Sequence, residues 1–252
     1  MKTVLVTGAT AGIGEAVAKI FARANNKVII TGRRVDRLNK LKEKLETDFG
    51  AQIHTLCFDV QNSDEVKSAI ASLPDAFKNV DILVNNAGLA LGRASFDNGL
   101  ESDWNTMIDT NIKGVLYMTK AIVPGMIEKK SGHIINIGSI AGKETYLGGN
   151  VYCATKHAVD SLTKAMRIDL LVHGIKVTGI CPGIVETEFS VVRYKGDEEK
   201  AKKVYEGYHP LSPRDVAELI FFVATRPPHV NINDVVITPT TQANTFYSKK
   251  DK

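Results

Sequence analysis

The sequence predicts a doubly wound, Rossmann-type α/β fold with a seven-stranded parallel sheet, on three observations. Short β-branched runs recur at even intervals, stretches with helical spacing of apolar residues separate them, and a glycine-rich turn follows the first run directly. Strands that alternate with helices are joined by right-handed crossovers, which makes neighbours parallel and covers both faces of the sheet. Such strands should be apolar throughout rather than alternating, as Val4-Leu5-Val6, Val28-Ile29-Ile30 and Ile82-Leu83-Val84 are. The expected strands are 3–6, 27–30, 52–56, 82–84, 133–137, 176–180 and 235–238, and the expected helices are 15–24, 35–49, 63–72, 101–128, 151–173 and 213–224. The last helix has a clear start, because Ser212 can cap it and Pro213 suits its first turn.

No linker rich in Pro, Gly or Ser and no internal repeat breaks this rhythm, so the 252 residues form one expected domain. The motifs described below divide it into an expected cofactor-binding and catalytic core, 1–187, and an expected substrate loop, last helix and last strand, 188–252. Residues 186–211 are charged and lack clean periodicity; they are either a lid or substrate loop, or a solvated surface excursion.

Hydrophobic residues make up 44% of the chain and charged residues 24%, which fits a globular protein and not a disordered or membrane-embedded one. Thirty-two basic against 28 acidic residues leave a scattered excess of +4, which does not mark a nucleic-acid binder. Cys57, Cys153 and Cys181 are isolated, with no CxxC pair and no histidine at ligand spacing, so neither disulfides nor a metal site is expected. A cytoplasmic location fits these thiols, the missing signal segment and the lack of any run of about 18 apolar residues.

Thr7-Gly8-Ala9-Thr10-Ala11-Gly12-Ile13-Gly14 ends the first strand and opens the first helix. Glycines there let the backbone turn tightly and approach a pyrophosphate, which the helix N-terminus favours; the spacing is GxxxGxG rather than GxGxxG. The second strand ends at Thr31-Gly32-Arg33-Arg34, where an NAD enzyme would place an acid on the adenosine ribose. Arg33 and Arg34 suit a 2′-phosphate instead, and NADP is the expected cofactor. Asp36 lies past the turn and suits the start of the next helix.

Tyr152 and Lys156 stand one helical turn apart on a single face. An ammonium about 4 Å from a phenol would favour the phenolate by about one to three pKa units, bringing Tyr152 toward a usable acid/base range. Ser139 follows the fifth strand and offers a hydroxyl to a carbonyl oxygen that gains charge. Asn111, in mid-helix, breaks a local preference of the kind that functional sites break.

Together with Asn85-Asn86-Ala87-Gly88 and the glycine turn, these residues closely resemble the short-chain dehydrogenase/reductase family over nearly the whole chain, most strongly over residues 2–187. The resemblance implies that Tyr152 is the proton donor and acceptor, that Lys156 lowers its pKa and binds the nicotinamide ribose, that Ser139 holds the reacting oxygen, and that Asn111 anchors a water relay to Lys156. It places Gly8, Thr10, Ala11, Gly12, Ile13 and Gly14 along the phosphates, Asp59 and Val60 at the adenine, Asn86 and Gly88 along the adenosine ribose, and Pro182, Gly183, Val185 and Thr187 against the nicotinamide end. It also implies a homotetramer that pairs the long helices 101–128 and 151–173.

The stretches Glu188 to Asp197, Asn85 to Gly92 and Thr238 to Gln242 are similar to one branch of that family, the NADP-dependent 3-hydroxy acid dehydrogenases. That similarity implies a small hydroxy acid (serine, allo-threonine, 3-hydroxyisobutyrate or 3-hydroxypropionate type) or the matching semialdehyde as substrate. Arg193 is the candidate for its carboxylate and Lys195 the weaker one; pairing of Arg193 with an acid or a subunit interface is the other reading. Two further functions stay open: a 3-oxoacyl carrier-protein reductase, and an NADP-binding regulator without turnover. Many relatives carry a glycine pair after the last strand and this chain does not. Cys153 and Cys181 are expected as buried small hydrophobes.

Overall fold

Val4 and Val6 point into one apolar cluster and Leu5 into another, and the same division runs along the second strand, with Val28 and Ile30 on one side and Ile29 on the other. This two-sided burial is what makes the strands uniformly apolar. In the computed structural model, which describes residues 1–250, β1 (Thr3–Val6), β2 (Lys27–Gly32), β3 (Ile53–Cys57), β4 (Ile82–Asn85), β5 (Gly132–Ile137), β6 (Ile175–Pro182) and β7 (Asp234–Ile237) form one parallel sheet. Its order is β3-β2-β1-β4-β5-β6-β7, with Val4 facing Val28 on one side and Ile82 on the other. The order reverses between β1 and β4, which opens the crevice where ligands of such sheets bind.

One face is covered by α1 (Gly12–Arg23), α2 (Val35–Phe49) and α10 (Pro213–Ala224), where Phe21 meets Phe221 edge-on. The other face packs on α3 (Ser63–Ala71), α6 (Gly114–Glu128) and α7 (Asn150–Asp169), through side chains such as Val66, Met118, Met126 and Met166. Burying each of these larger side chains contributes about 1.5–3 kcal/mol. Ser212 accepts from the Asp215 backbone N–H while the Asp215 carboxylate accepts from that of Ser212, so α10 starts where the sequence places it.

The first strand is observed where it is expected, and the other six differ by one or two residues at their ends. Three helices differ more: the first, expected at 15–24, starts three residues earlier as α1 (Gly12–Arg23), within the glycine turn itself. Residues 101–128 form α5 (Glu101–Ile108), a π-helical turn at Asp109–Lys113 and then α6. Residues 151–173 end as a helix at Asp169, followed by a 3₁₀ turn that Gly174 closes at φ +69°. A short α4 (Asp75–Lys78) was not expected, and residues 186–211 hold α8 (Phe189–Arg193) and α9 (Glu198–Lys203). Helices of five or six residues are too short to show a period in the sequence.

His133, in the middle of the sheet on β5, is 3% exposed. The Thr178 hydroxyl donates to the Ile232 carbonyl at 2.6 Å, so it accepts from Nε2–H of His133 at 2.8 Å, which leaves Nδ1 bare and the ring neutral. Burial, with help from the charges of Lys176 and Lys2, pushes this imidazole down to about 3. An unfolded chain therefore takes up a proton below about pH 6.5 that the folded chain refuses, and stability falls with pH from there toward about 3 by up to roughly 1.4 kcal/mol per unit. We expect Tm to drop as pH is lowered from about 6 to 4, and His133→Gln to flatten that part of the thermal denaturation profile. A parallel slope in the variant would place the acid sensitivity elsewhere.

Candidate active site

The glycine turn is a backbone device. Gly8 and Gly12 take φ of +64° and +56°, which only glycine adopts without strain. A Cβ on Gly14 would stand 2.5 Å from Asn86 Nδ2 and closer still to the Gly8 carbonyl. That space stays empty because Asn86 crosses from the end of β4 to donate to the carbonyls of Thr7 at 2.8 Å and Gly8 at 3.2 Å. Ala11 caps α1 with no side-chain hydrogen bond, so the first N–H groups of the helix open toward the crevice.

A cleft of about 720 Å³ runs from this turn to the far side of the sheet, and its walls include Gly8, Arg34, Gly88, Ser139, Tyr152 and Arg193. It also brings together Thr10, Ala11, Gly12, Ile13, Arg33, Asp59, Val60, Asn86, Lys156, Pro182, Gly183, Val185 and Thr187. Its length, the glycine cradle at its centre and the arginines at one end fit a dinucleotide carrying a 2′-phosphate.

At that end Arg34 donates to the Thr10 hydroxyl through Nε and Nη2, at 3.2 and 2.7 Å, and to Glu188 at 3.2 Å. Arg33 pairs with Asp59 at 3.3 Å. Arg37, one turn further along α2, meets both oxygens of Glu188 at 2.8 Å. Its three-residue offset from Arg34 was visible in the sequence; its acidic partner, 151 residues away, was not.

At the other end, Tyr152 is 9% exposed and Lys156 7%. The lysine Nζ donates to the Ile137 carbonyl at 2.9 Å and lies 6.0 Å from the centre of the tyrosine ring. The spacing does put the two on one helix face, but the direct pairing that would lower the phenol pKa is not what the protein alone forms. Burial instead drives both toward neutrality, lowering Lys156 to about 8 and pushing the Tyr152 phenol well up. The nearby Tyr146 adds to that rise, while the Ser139 hydroxyl and the Arg193 charge oppose it. Ser139 accepts from the Ala141 N–H at 3.1 Å and donates to the Pro182 carbonyl at 3.4 Å.

Asn111 sits in the π-helical turn, 1% exposed. Its amide pairs with both backbone groups of Leu89, at 2.9 and 2.8 Å, and donates to Thr155 at 3.0 Å. A Cβ on Gly88 would lie 3.2 Å from Asn111 Oδ1 and 3.5 Å from Lys156 Nζ, so the glycine keeps the space between these two side chains open. π-Turns inside helices are frequent at functional sites.

Arg193 ends α8 half-buried over Tyr152, 5.6 Å from its ring centre. Its donors go to the Gly92 carbonyl at 3.2 Å and the Tyr146 hydroxyl at 2.9 Å rather than to a carboxylate. Lys195 pairs with Asp103 at 2.9 Å, away from that spot. Tyr146 and Arg93, which have no signal in the sequence, also line the cleft, as does Gln242, which stands out only as part of the stretch Thr238 to Gln242. Gln242 accepts from the Ile184 N–H at 2.8 Å, a contact that ties the tail after β7 to the strand end carrying Pro182 and Gly183. Cys153 and Cys181 are buried, and burial pushes both thiols up, Cys181 to about 11.

Comparison with known proteins agrees with this geometry. A family described as short chain dehydrogenase matches residues 2–198. The NADP-dependent 3-hydroxy acid dehydrogenase YdfG of Salmonella typhi is 52% identical over 241 residues, 95% of this chain and 96% of that protein. The serine 3-dehydrogenase of Agrobacterium fabrum is 44% identical over 241 residues, 96% of this chain and 95% of its own. Among solved structures, the closed form of a serine dehydrogenase complexed with NADP+ superposes with a TM-score of 0.94 at 48% identity, covering 99% of this chain and all of that one (100%).

The crowding at Gly14 makes a direct prediction. Gly14→Ala should displace the turn and raise the dinucleotide Kd by more than about tenfold, at least 1.4 kcal/mol, while circular dichroism stays that of the parent. Unchanged binding in a titration would show that the cradle tolerates a side chain there.

Proposed function

Since the chain belongs to the short-chain dehydrogenase family, we propose that it moves a hydride between NADP(H) and the β-carbon of a small 3-hydroxy acid, with Tyr152 as general acid and base. The observation that carries this reading is the grouping of Ser139, Tyr152 and a half-buried Arg193 at one end of the cleft. A molecule held by its carboxylate at Arg193 presents a hydroxyl two carbons away to the phenol. Close relatives named for 3-hydroxy acids and serine support the same substrate class.

The cofactor, when bound, takes up or gives the hydride. Gly8, Gly12, Gly14 and the open end of α1 would hold its pyrophosphate, Arg33 and Arg34 its 2′-phosphate, and Lys156 its nicotinamide ribose. Asp59 and Val60 would face the adenine, Asn86 and Gly88 the adenosine ribose, and Pro182, Gly183, Val185 and Thr187 the nicotinamide end. In oxidation, the Tyr152 phenolate accepts the hydroxyl proton of the substrate; in reduction, the phenol returns it to the carbonyl oxygen. The Ser139 hydroxyl donates to that oxygen as charge develops on it. Asn111 holds the Leu89 loop and the space beside Lys156 through which a water can relay the proton outward. Arg193 orients the carboxylate and its charge favours the phenolate.

Because burial holds Tyr152 protonated, the free enzyme is poised to donate, and kcat/KM for oxidation should climb with pH above neutrality. Tyr152→Phe should lower kcat by about 10²–10⁴-fold while NADPH binding persists. Arg193→Ala should raise the hydroxy acid KM by more than about tenfold, and a KM within about twofold of the parent would exclude carboxylate capture by this residue.

Assembly as a homotetramer in the cytoplasm completes the reading. Met107 belongs to the core, but Ile168, Leu171 and Val172 on and just after α7 are 73%, 71% and 83% exposed, and Leu116 on α6 is 39% exposed. Those residues give the long helices an apolar face for a second copy.

A further inference from the structure

The arginines assigned to the 2′-phosphate are not idle in the protein by itself. Glu188 immediately precedes α8, and its carboxylate reaches Arg34 Nη1 at 3.2 Å and Arg37 Nη1 at 2.8 Å through each oxygen. Arg34 at the same time grips Thr10 in the glycine turn. One residue earlier, Thr187 packs against Gly12, where a Cβ would meet its side chain at 3.2 Å. Thr187 and Glu188 therefore strap the start of α8 across the cofactor channel, and the end of the strap is a negative charge on the cluster meant for a phosphate. A carboxylate and a phosphate monoester present the same fork of oxygens to a guanidinium. All three side chains are about half exposed, at 45% for each arginine and 50% for the glutamate, so the pairs are exchangeable with solvent and ligand.

We infer that Glu188 is an internal competitor of the 2′-phosphate, a carboxylate that, anchored on Arg37, occupies Arg34 until NADP(H) displaces it. This rests on the assignment of the arginine cluster to that phosphate and adds a specificity residue to it. The competitor lowers affinity for the phosphorylated cofactor alone and leaves NADH untouched. Displacement frees the α8 end of the strap at the adenosine end, five residues from Arg193 over the substrate pocket.

The test titrates NADPH, NADH and adenosine 2′-monophosphate into the full-length parent and into Glu188→Gln at fixed ionic strength. Glutamine keeps the shape and removes the charge, and the position is exposed enough to accept it. The inference expects NADPH and adenosine 2′-monophosphate each to bind about fivefold tighter to the variant, the size of effect that exposed ion pairs carry, with NADH unchanged within twofold. NADPH binding that is unchanged or weaker in the variant overturns it. An equal gain for NADH also overturns it, because that would be a general loosening of the strap. A parent that does not distinguish NADPH from NADH refutes the phosphate assignment itself, and the inference with it; a parent that does, with a variant that matches it, refutes the inference alone.

Discussion

A small clasp across the middle of the sheet fixes where everything else can stand. Thr7 at the end of β1 donates its hydroxyl to the Val84 carbonyl and accepts from the backbone N–H groups of Asn86 and Ala87, while Asn86 returns its amide to the carbonyls of Thr7 and Gly8. These bonds join the two strand ends at which the sheet order reverses, so the chains leaving β1 and β4 diverge from one locked point. The glycine turn and open helix start lie on one side of it, and the Gly88–Leu89 segment leading to Asn111 on the other. Neutral hydrogen bonds of this kind contribute only about 1 kcal/mol each, but leaving any of these buried groups unpaired would cost more than that, which is why the clasp acts as a unit.

Burial sets the chemistry on the far side of the clasp. Tyr152 and Lys156 are both taken out of water, and burial shifts each toward its neutral form, although Lys156, at about 8, keeps its charge at neutral pH. The groups that push Tyr152 the other way are Ser139 and Arg193, which come from the end of β5 and the end of α8. The tyrosine proposed as acid and base is thus tuned by the residue proposed for the reacting oxygen and by the residue proposed for the substrate carboxylate. In that proposal, substrate recognition and acid/base strength share the same side chains.

The fold was largely legible because two-sided burial leaves a plain mark: uniformly apolar strands such as Val28–Ile30, at even spacing, with a glycine turn after the first. The helix carrying the candidate pair was legible because Tyr152 and Lys156 lie four residues apart. Less was visible where geometry depends on distant chain segments. The π-turn around Asn111 interrupts a helix whose apolar spacing reads as continuous. The Lys156–Ile137 bond goes to a backbone carbonyl, which no side-chain pattern encodes. Glu188 and Tyr146 find their arginines across 151 and 47 residues respectively, and only the folded crevice brings them together.

We propose one cleft that reads a 2′-phosphate at one end and a carboxylate beside Tyr152 at the other. The most direct measurement is the initial rate of cofactor reduction for short 3-hydroxy acids, serine among them, with NADP and with NAD, alongside neutral alcohols of the same size. The expected result is turnover of 3-hydroxy acids with NADP, much slower turnover with NAD, and little with the neutral alcohols. A clear NAD preference, or neutral alcohols oxidised as fast as the acids, would contradict it.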